Sequence, residues 1–289
     1  MFIGIMLAIV VACLWSFGEV EYSKFSKKCD SANVYFYQYF ARALIYLLVA
    51  LIFKINIFGE FVFDDFLRFL PIIMCDLIGS YIINKAVKNG KLSVVSPIMA
   101  AYPIVDIILG IVLLKESIGI LELILVIVIS VSIILLATNE EKSKYAPHPV
   151  RGIVFASIYM LLTAFSTYFE KDAYVSNLSI YDLYYYKGII YFITSMLFLS
   201  VVGVSKVKLK KVSWNVIKGS AITPLGNVFY SFALNFGDMM IVTPISSMYS
   251  VITSFASRKM LKEKLNIKES IFISLILVST ILLIILGLL

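Results

Sequence analysis

The chain has 289 residues, 61% hydrophobic and 15% charged, with a mean hydropathy of +0.97 and a formal charge of +7. A soluble domain carries about 25% charged residues, so this apolar content excludes a water-exposed globule and makes the lipid bilayer the main solvent. In lipid only helices and closed barrels satisfy the backbone. A positive balance can indicate nucleic acid as a partner, but the placement of the basic residues, below, gives it another role and leaves no nucleic-acid footprint.

Apolar windows of about 20 residues bounded by charge clusters predict spans near residues 2–22, 33–53, 66–86, 92–114, 118–138, 150–170, 181–203, 215–236, 239–259 and 269–289. They are too long for the roughly 10-residue alternating strands of a barrel. The expected fold class is therefore an all-α integral membrane protein with ten transmembrane helices and short connections. Cys13 follows "IVVA", the small-residue context of lipoprotein cleavage, but no basic stretch precedes it, so the first window is expected to remain a span. Cys13, Cys29 and Cys75 are odd in number and form no CxxC pair, so neither a disulfide framework, a metal site nor a cofactor is expected.

Loops after odd-numbered spans hold 19 of the 25 basic residues, whereas Lys54, Arg68, Lys115 and Lys171 fall on the other side. Positive loops stay in the cytoplasm. Both termini are thus predicted outside a multi-pass protein of the cell membrane.

The chain also repeats itself. An offset of 147 relates Gly79 to Gly226, Ala86 to Ala233, Gly90 to Gly237, Pro97 to Pro244, Tyr102 to Tyr249 and Glu116 to Glu263. This divides the chain into a first five-helix repeat, 1–143, and a second, 144–289. With an odd number of spans in each half, the second copy enters the membrane inverted, the arrangement that many secondary transporters use around a midplane site. Pro97 and Pro244 each remove a helix hydrogen bond at matching places, as gating hinges or as passive kinks.

The segments "LWSFG" (14–18), "YFARALI" (39–45), "SPIMAAYPIVDIILGIVLLKES" (96–117) and its recurrence "TPISSMYSVITSFASRKMLKEK" (243–264) resemble the drug/metabolite transporter superfamily, in particular its ten-helix EamA-type members. The resemblance covers essentially the full length. It implies alternating-access transport of a small organic solute and no catalysis. Departures include Thr163 at the repeat partner of Trp15 and Lys115 and Lys262 before the glutamates.

Ionisable residues at membrane depth cost at least roughly 2.5–3.5 kcal/mol and so mark functional sites by default. Asp76 and Asp106 cannot easily snorkel, and Arg42 and Lys187 lie deep in the repeat-related second and seventh spans. Glu19 is a site residue or an interface charge, as is Glu170. Glu116 and Glu263 read as helix-end caps. Tyr102 and Asp106 share a helix face at spacing four, as do Trp15 and Glu19. Thr243, Ser246, Ser250, Thr253 and Ser257 form a hydroxyl stripe, either lining a polar path or letting helices approach closely. Tyrosines 35, 37, 39 and 184–186 are expected as interface anchors, while Tyr102, Tyr230 and Tyr249 are nearer the cavity.

The candidate substrate site is thus Trp15, Glu19, Arg42, Asp76, Tyr102, Asp106, Tyr230 and Tyr249, with Pro97 and Pro244 as hinges. Acid beside aromatic suggests an amine-bearing cation or zwitterion such as choline or an amino acid, with Asp106 as the leading counter-charge and a proton or cation as a coupling partner. Arg42 and Lys187 favour a carboxylate-bearing solute. The alternatives are an anionic or neutral metabolite (nucleobase or sugar), a channel, or a membrane enzyme, for which the sole histidine, His148, has no motif around it. Monomer and dimer are both compatible with the sequence.

Overall fold

The computed structural model describes residues 2–26, 31–53, 62–115, 119–138, 148–202, 214–260 and 267–288. Every regular element among them is helical: α1 (Phe2–Ser26), α2 (Ser31–Phe53), α3 (Phe63–Asn89), α4 (Leu92–Met99), α5 (Pro103–Leu109) running into a π-helical turn (Gly110–Leu114), α6 (Ile120–Thr138), α7 (Pro149–Val175), α8 (Ile180–Val202), α9 (Trp214–Phe236), α10 (Met239–Ser247), α11 (Tyr249–Met260) and α12 (Ile267–Leu288). Six stretches of the described residues are long and apolar enough to cross a membrane: Phe2–Lys24, Val34–Phe53, Phe63–Asn89, Leu92–Leu114, Pro149–Val175 and Met239–Ser257. Cys29, Glu116 and Glu263 lie outside the described residues.

Helix ends follow local chemistry. Asp64 and Asp65 sit in the first turn of α3, where the helix dipole favours negative charge, and Pro149 begins α7 at a position that needs no N–H. At the far end of α7, Asn177 takes a left-handed conformation (φ 61°). Its N–H donates to the Tyr174 carbonyl and that of Leu178 to Ala173, both at 3.0 Å, a Schellman turn that reverses the chain into α8.

Two spans are interrupted. α4 carries Pro97 and stops two residues later, and the chain resumes helix at Pro103; α10 carries Pro244 and yields to α11 at Met248. Proline has no N–H to bond the carbonyl four residues back. For Pro97 that carbonyl is Ser93's, and it instead accepts the Ser254 hydroxyl at 3.2 Å from α11. The break in one half is thereby sealed by the other.

The helices pack in a regular pattern. α1 lies along α9, α3 along α7, α2 along α8, and α6 along α12; α1 also meets α10 and α11, as α7 meets α4 and α5, and α4 meets α11, as α10 meets α5. Exchanging each element for its repeat partner reproduces this list. The closest approaches obey the same exchange: a Cβ on Gly152 would fall 2.7 Å from the Gly90 nitrogen, and one on Gly4 would fall 3.0 Å from the Gly237 nitrogen. Backbone packs directly on backbone at both places, so only glycine fits.

Candidate functional site

The interfaces of α1, α2, α3, α7, α8 and α9 converge on a central cavity of about 70 Å³, closed additionally by Tyr102 between α4 and α5 and by Tyr249 at the start of α11. One water needs roughly 10–15 Å³ on the same measure, so the space suits a compact solute. Neither α6 nor α12 contributes to the wall, and both keep large apolar side chains exposed, such as Ile120, Leu121, Ile271 and Val278.

Trp15 anchors the aromatic part of the wall. Its ring lies 4.9 Å from that of Tyr230 and 5.5 Å, edge-on, from that of Tyr249. The indole N–H donates to Asn227 Oδ1 at 2.8 Å, and Asn227 Nδ2 donates to the Tyr46 hydroxyl at 2.9 Å, which fixes the amide's orientation. Tyr230 shares a 3.0 Å hydrogen bond with Thr167, and Tyr102 donates to the Thr243 carbonyl at 3.3 Å. Trp15, Tyr102 and Tyr230 are therefore held by their polar ends at the cavity wall.

Five ionisable side chains border the same space: Glu19, Arg42, Asp76, Glu170 and Lys187. Lys187 lies 2.8 Å from Asp76 and 3.4 Å from Glu170. Those carboxylates are supported in turn, Asp76 by the Ser166 hydroxyl at 3.1 Å and Glu170 by the Tyr174 hydroxyl at 2.8 Å, so this triad is internally satisfied. Glu19 and Arg42, each 5% exposed, make no ion pair among the described residues. Glu19 accepts the Ser96 hydroxyl. Arg42 donates to the Tyr191 hydroxyl at 3.1 Å, with its guanidinium carbon 5.6 Å from that ring's centre.

Of the eight side chains expected from the sequence, Trp15, Glu19, Arg42, Asp76, Tyr102, Tyr230 and Tyr249 meet at this cavity. Asp106 does not. It is fully buried and is not among the wall residues, although its N–H bonds the Tyr102 carbonyl at 3.0 Å one turn back. Sharing a helix face placed the two residues together but did not say that the wall ends at Tyr102. Tyr35, Tyr39, Tyr184 and Tyr186 are likewise not interface anchors. They are buried in the protein core, because they pack on rings of neighbouring helices, Tyr35 on Tyr81, Tyr39 on Tyr191 and Tyr186 on Phe69, and Tyr184 also on the Lys187 ammonium at 5.7 Å. The hydroxyl stripe of α10 and α11 is buried and absent from the wall; Ser250 and Ser257 donate to backbone carbonyls three residues back, while the hydroxyls of Thr243, Ser246 and Thr253 are buried without a hydrogen-bond partner among the described residues.

Asn227, Tyr159 and Thr167 also line the wall, without being among the side chains expected from the sequence. Asn227 had a signal, since the offset of 147 maps it onto Ser80, which also lines the cavity. Tyr159 and Thr167 had none beyond their helix.

The family profile of the EamA-like transporter family matches the chain twice, over residues 2–138 and 150–285. No curated protein matches. Among solved structures, 28 chains match. One of them, titled only "Crystal structure of protein", is similar with a TM-score of 0.69 at 12% identity, over 98% of this chain and 97% of that one, a likeness of fold.

Proposed function

The chain belongs to the EamA-like transporter family, a family of small-molecule membrane transporters, and on that premise we propose that it carries a compact amine-bearing solute, a cation or zwitterion, through the bilayer by alternating access. The observation that carries this reading is Glu19: a buried carboxylate at the cavity wall with no cationic partner among the described residues, one helical turn from Trp15. An ammonium group there would gain a counter-charge together with the faces of Trp15, Tyr230 and Tyr249, each worth about 0.5–2 kcal/mol to a desolvated cation. Asp76, Tyr102 and Arg42 complete the proposed binding surface.

The reading includes ten spans in two inverted five-helix repeats, 1–143 and 144–289, with both termini outside the cell membrane. The exchange of helix contacts between halves supports it, as does the recurrence of the glycine crossings. Pro97 and Pro244 are the hinges of the two broken spans, and a proton or cation supplies the driving gradient. A thermal-unfolding screen of the purified protein against amines, amino acids, nucleobases and sugars tests the substrate class. Stabilisation is expected from amine-bearing compounds only and is lost in Glu19→Gln, which keeps the shape and removes the charge. Stabilisation by sugars or nucleobases alone, or an unchanged response in Glu19→Gln, contradicts it.

A further inference from the structure

Two cations face the cavity, and among the described residues Lys187 forms ion pairs with carboxylates while Arg42 forms none. An offset of 145 relates Tyr39, Arg42 and Tyr46 on α2 to Tyr184, Lys187 and Tyr191 on α8. The contacts confirm the pairing of positions: Tyr46 with Tyr184 at 5.1 Å and Tyr39 with Tyr191 at 5.8 Å are two copies of one ring contact. Arg42 and Lys187 therefore occupy equivalent places in the two halves.

Their surroundings are not equivalent. Lys187 is held by Asp76 and Glu170. By the offsets of 147 for α3 and α9 and 148 for α1 and α7, the positions matching Asp76 and Glu170 are Thr223 and Tyr22. Both border Arg42, and with Gln38 and Ser220 they wall a second void of about 10 Å³ that Arg42 and Glu19 share with the central cavity. Where Lys187 has two carboxylates, Arg42 thus has a hydroxyl, a phenol and a small empty space. Its Nε is buried without a hydrogen-bond partner.

A buried guanidinium is costly unless its charge and its donors are met, and its planar fork matches a carboxylate in bidentate fashion. We propose that Arg42 receives a carboxylate of the transported solute, which takes the place that Asp76 and Glu170 fill around Lys187. The solute is then a zwitterion, with its carboxylate at Arg42 and, resting on the amine reading above, its ammonium at Glu19. Lys187 is unsuited to this role because its charge is already satisfied within the protein.

The test uses the full chain in detergent and measures binding of neutral L-α-amino acids, each beside its amide and its desamino acid. At least one amino acid is expected to bind roughly tenfold or more tightly than its amide, the size of a charge-assisted hydrogen-bond set. In Arg42→Gln that acid-to-amide ratio falls to about 1 on the same grounds, while the preference over the desamino acid persists. Arg42→Lys, which keeps the charge without the fork, retains an intermediate ratio and reports on folding. A merely structural Arg42, holding Tyr191, would lower the unfolding temperature without moving the ratio. An unchanged ratio in Arg42→Gln, or no amino acid bound by the unmodified protein, overturns the proposal. Loss of the acid preference in Arg42→Gln with no loss of amine preference in Glu19→Gln keeps the carboxylate assignment and removes the amine reading; the opposite pattern does the reverse.

Discussion

Lys187 is only 2% exposed, and Asp76 and Glu170 reach it from two different helices. Removing one member of such a cluster leaves uncompensated buried charge, which costs about 3–5 kcal/mol, whereas replacing the whole set by neutral groups is often tolerated. Lys187→Met is therefore expected to lower the thermal-unfolding midpoint sharply, and Lys187→Met combined with Asp76→Asn and Glu170→Gln is expected to recover most of the loss. A triple variant as unstable as the single one would show that the ion pairs are not what Lys187 contributes. At this scale the intramembrane charges were the legible part of the site: five of them border one cavity. Asp106 lies outside the cavity wall, since spacing along a helix gives a shared face but not the neighbour that covers it, and Asn227 is less legible because an uncharged amide stands out less than an acid in an apolar span.

At the scale of the helices, long apolar runs bounded by lysines were sufficient to place the elements, since a backbone in lipid has few alternatives to helix. The breaks were half legible. Pro97 and Pro244 mark where hydrogen bonds are missing, but each helix stops a few residues after its proline, at Ala100 and Met248, and the carbonyl that Pro97 releases is met from across the interface by Ser254. The same limit affected the tyrosines. Composition near a span end favours interface anchoring, but Tyr39, Tyr46, Tyr184 and Tyr191 share a ring cluster between α2 and α8, and which helices pair is a tertiary property. Gly90 and Gly152 are visible as residues, but only the fold shows that a side chain at Gly152 would meet the backbone of α3 at Gly90, and one at Gly90 would meet Val95 of α4.

For the whole molecule, the duplication is the organising fact. Paired offsets in the sequence become paired contacts in space, and the halves differ at the cavity and the proposed binding surface: Thr163 stands opposite Trp15, Lys187 opposite Arg42, and the acids of α3 and α7 have no acidic counterparts on α9 and α1. The basic loops further predict which way this unit faces. A reporter that works only in the cytoplasm, fused after Leu289, is expected to be inactive in cells, and full activity there would reverse the assignment of both termini.

Carriage of an amine-bearing solute by alternating access is tested most directly by counterflow in proteoliposomes. Vesicles preloaded with an unlabelled neutral amino acid that the protein binds are diluted into a trace of the labelled compound. The expected result is a transient accumulation of label above its equilibrium level, present with the unmodified protein and absent with Glu19→Gln; label that only equilibrates without overshoot, or an overshoot that Glu19→Gln leaves intact, would contradict it.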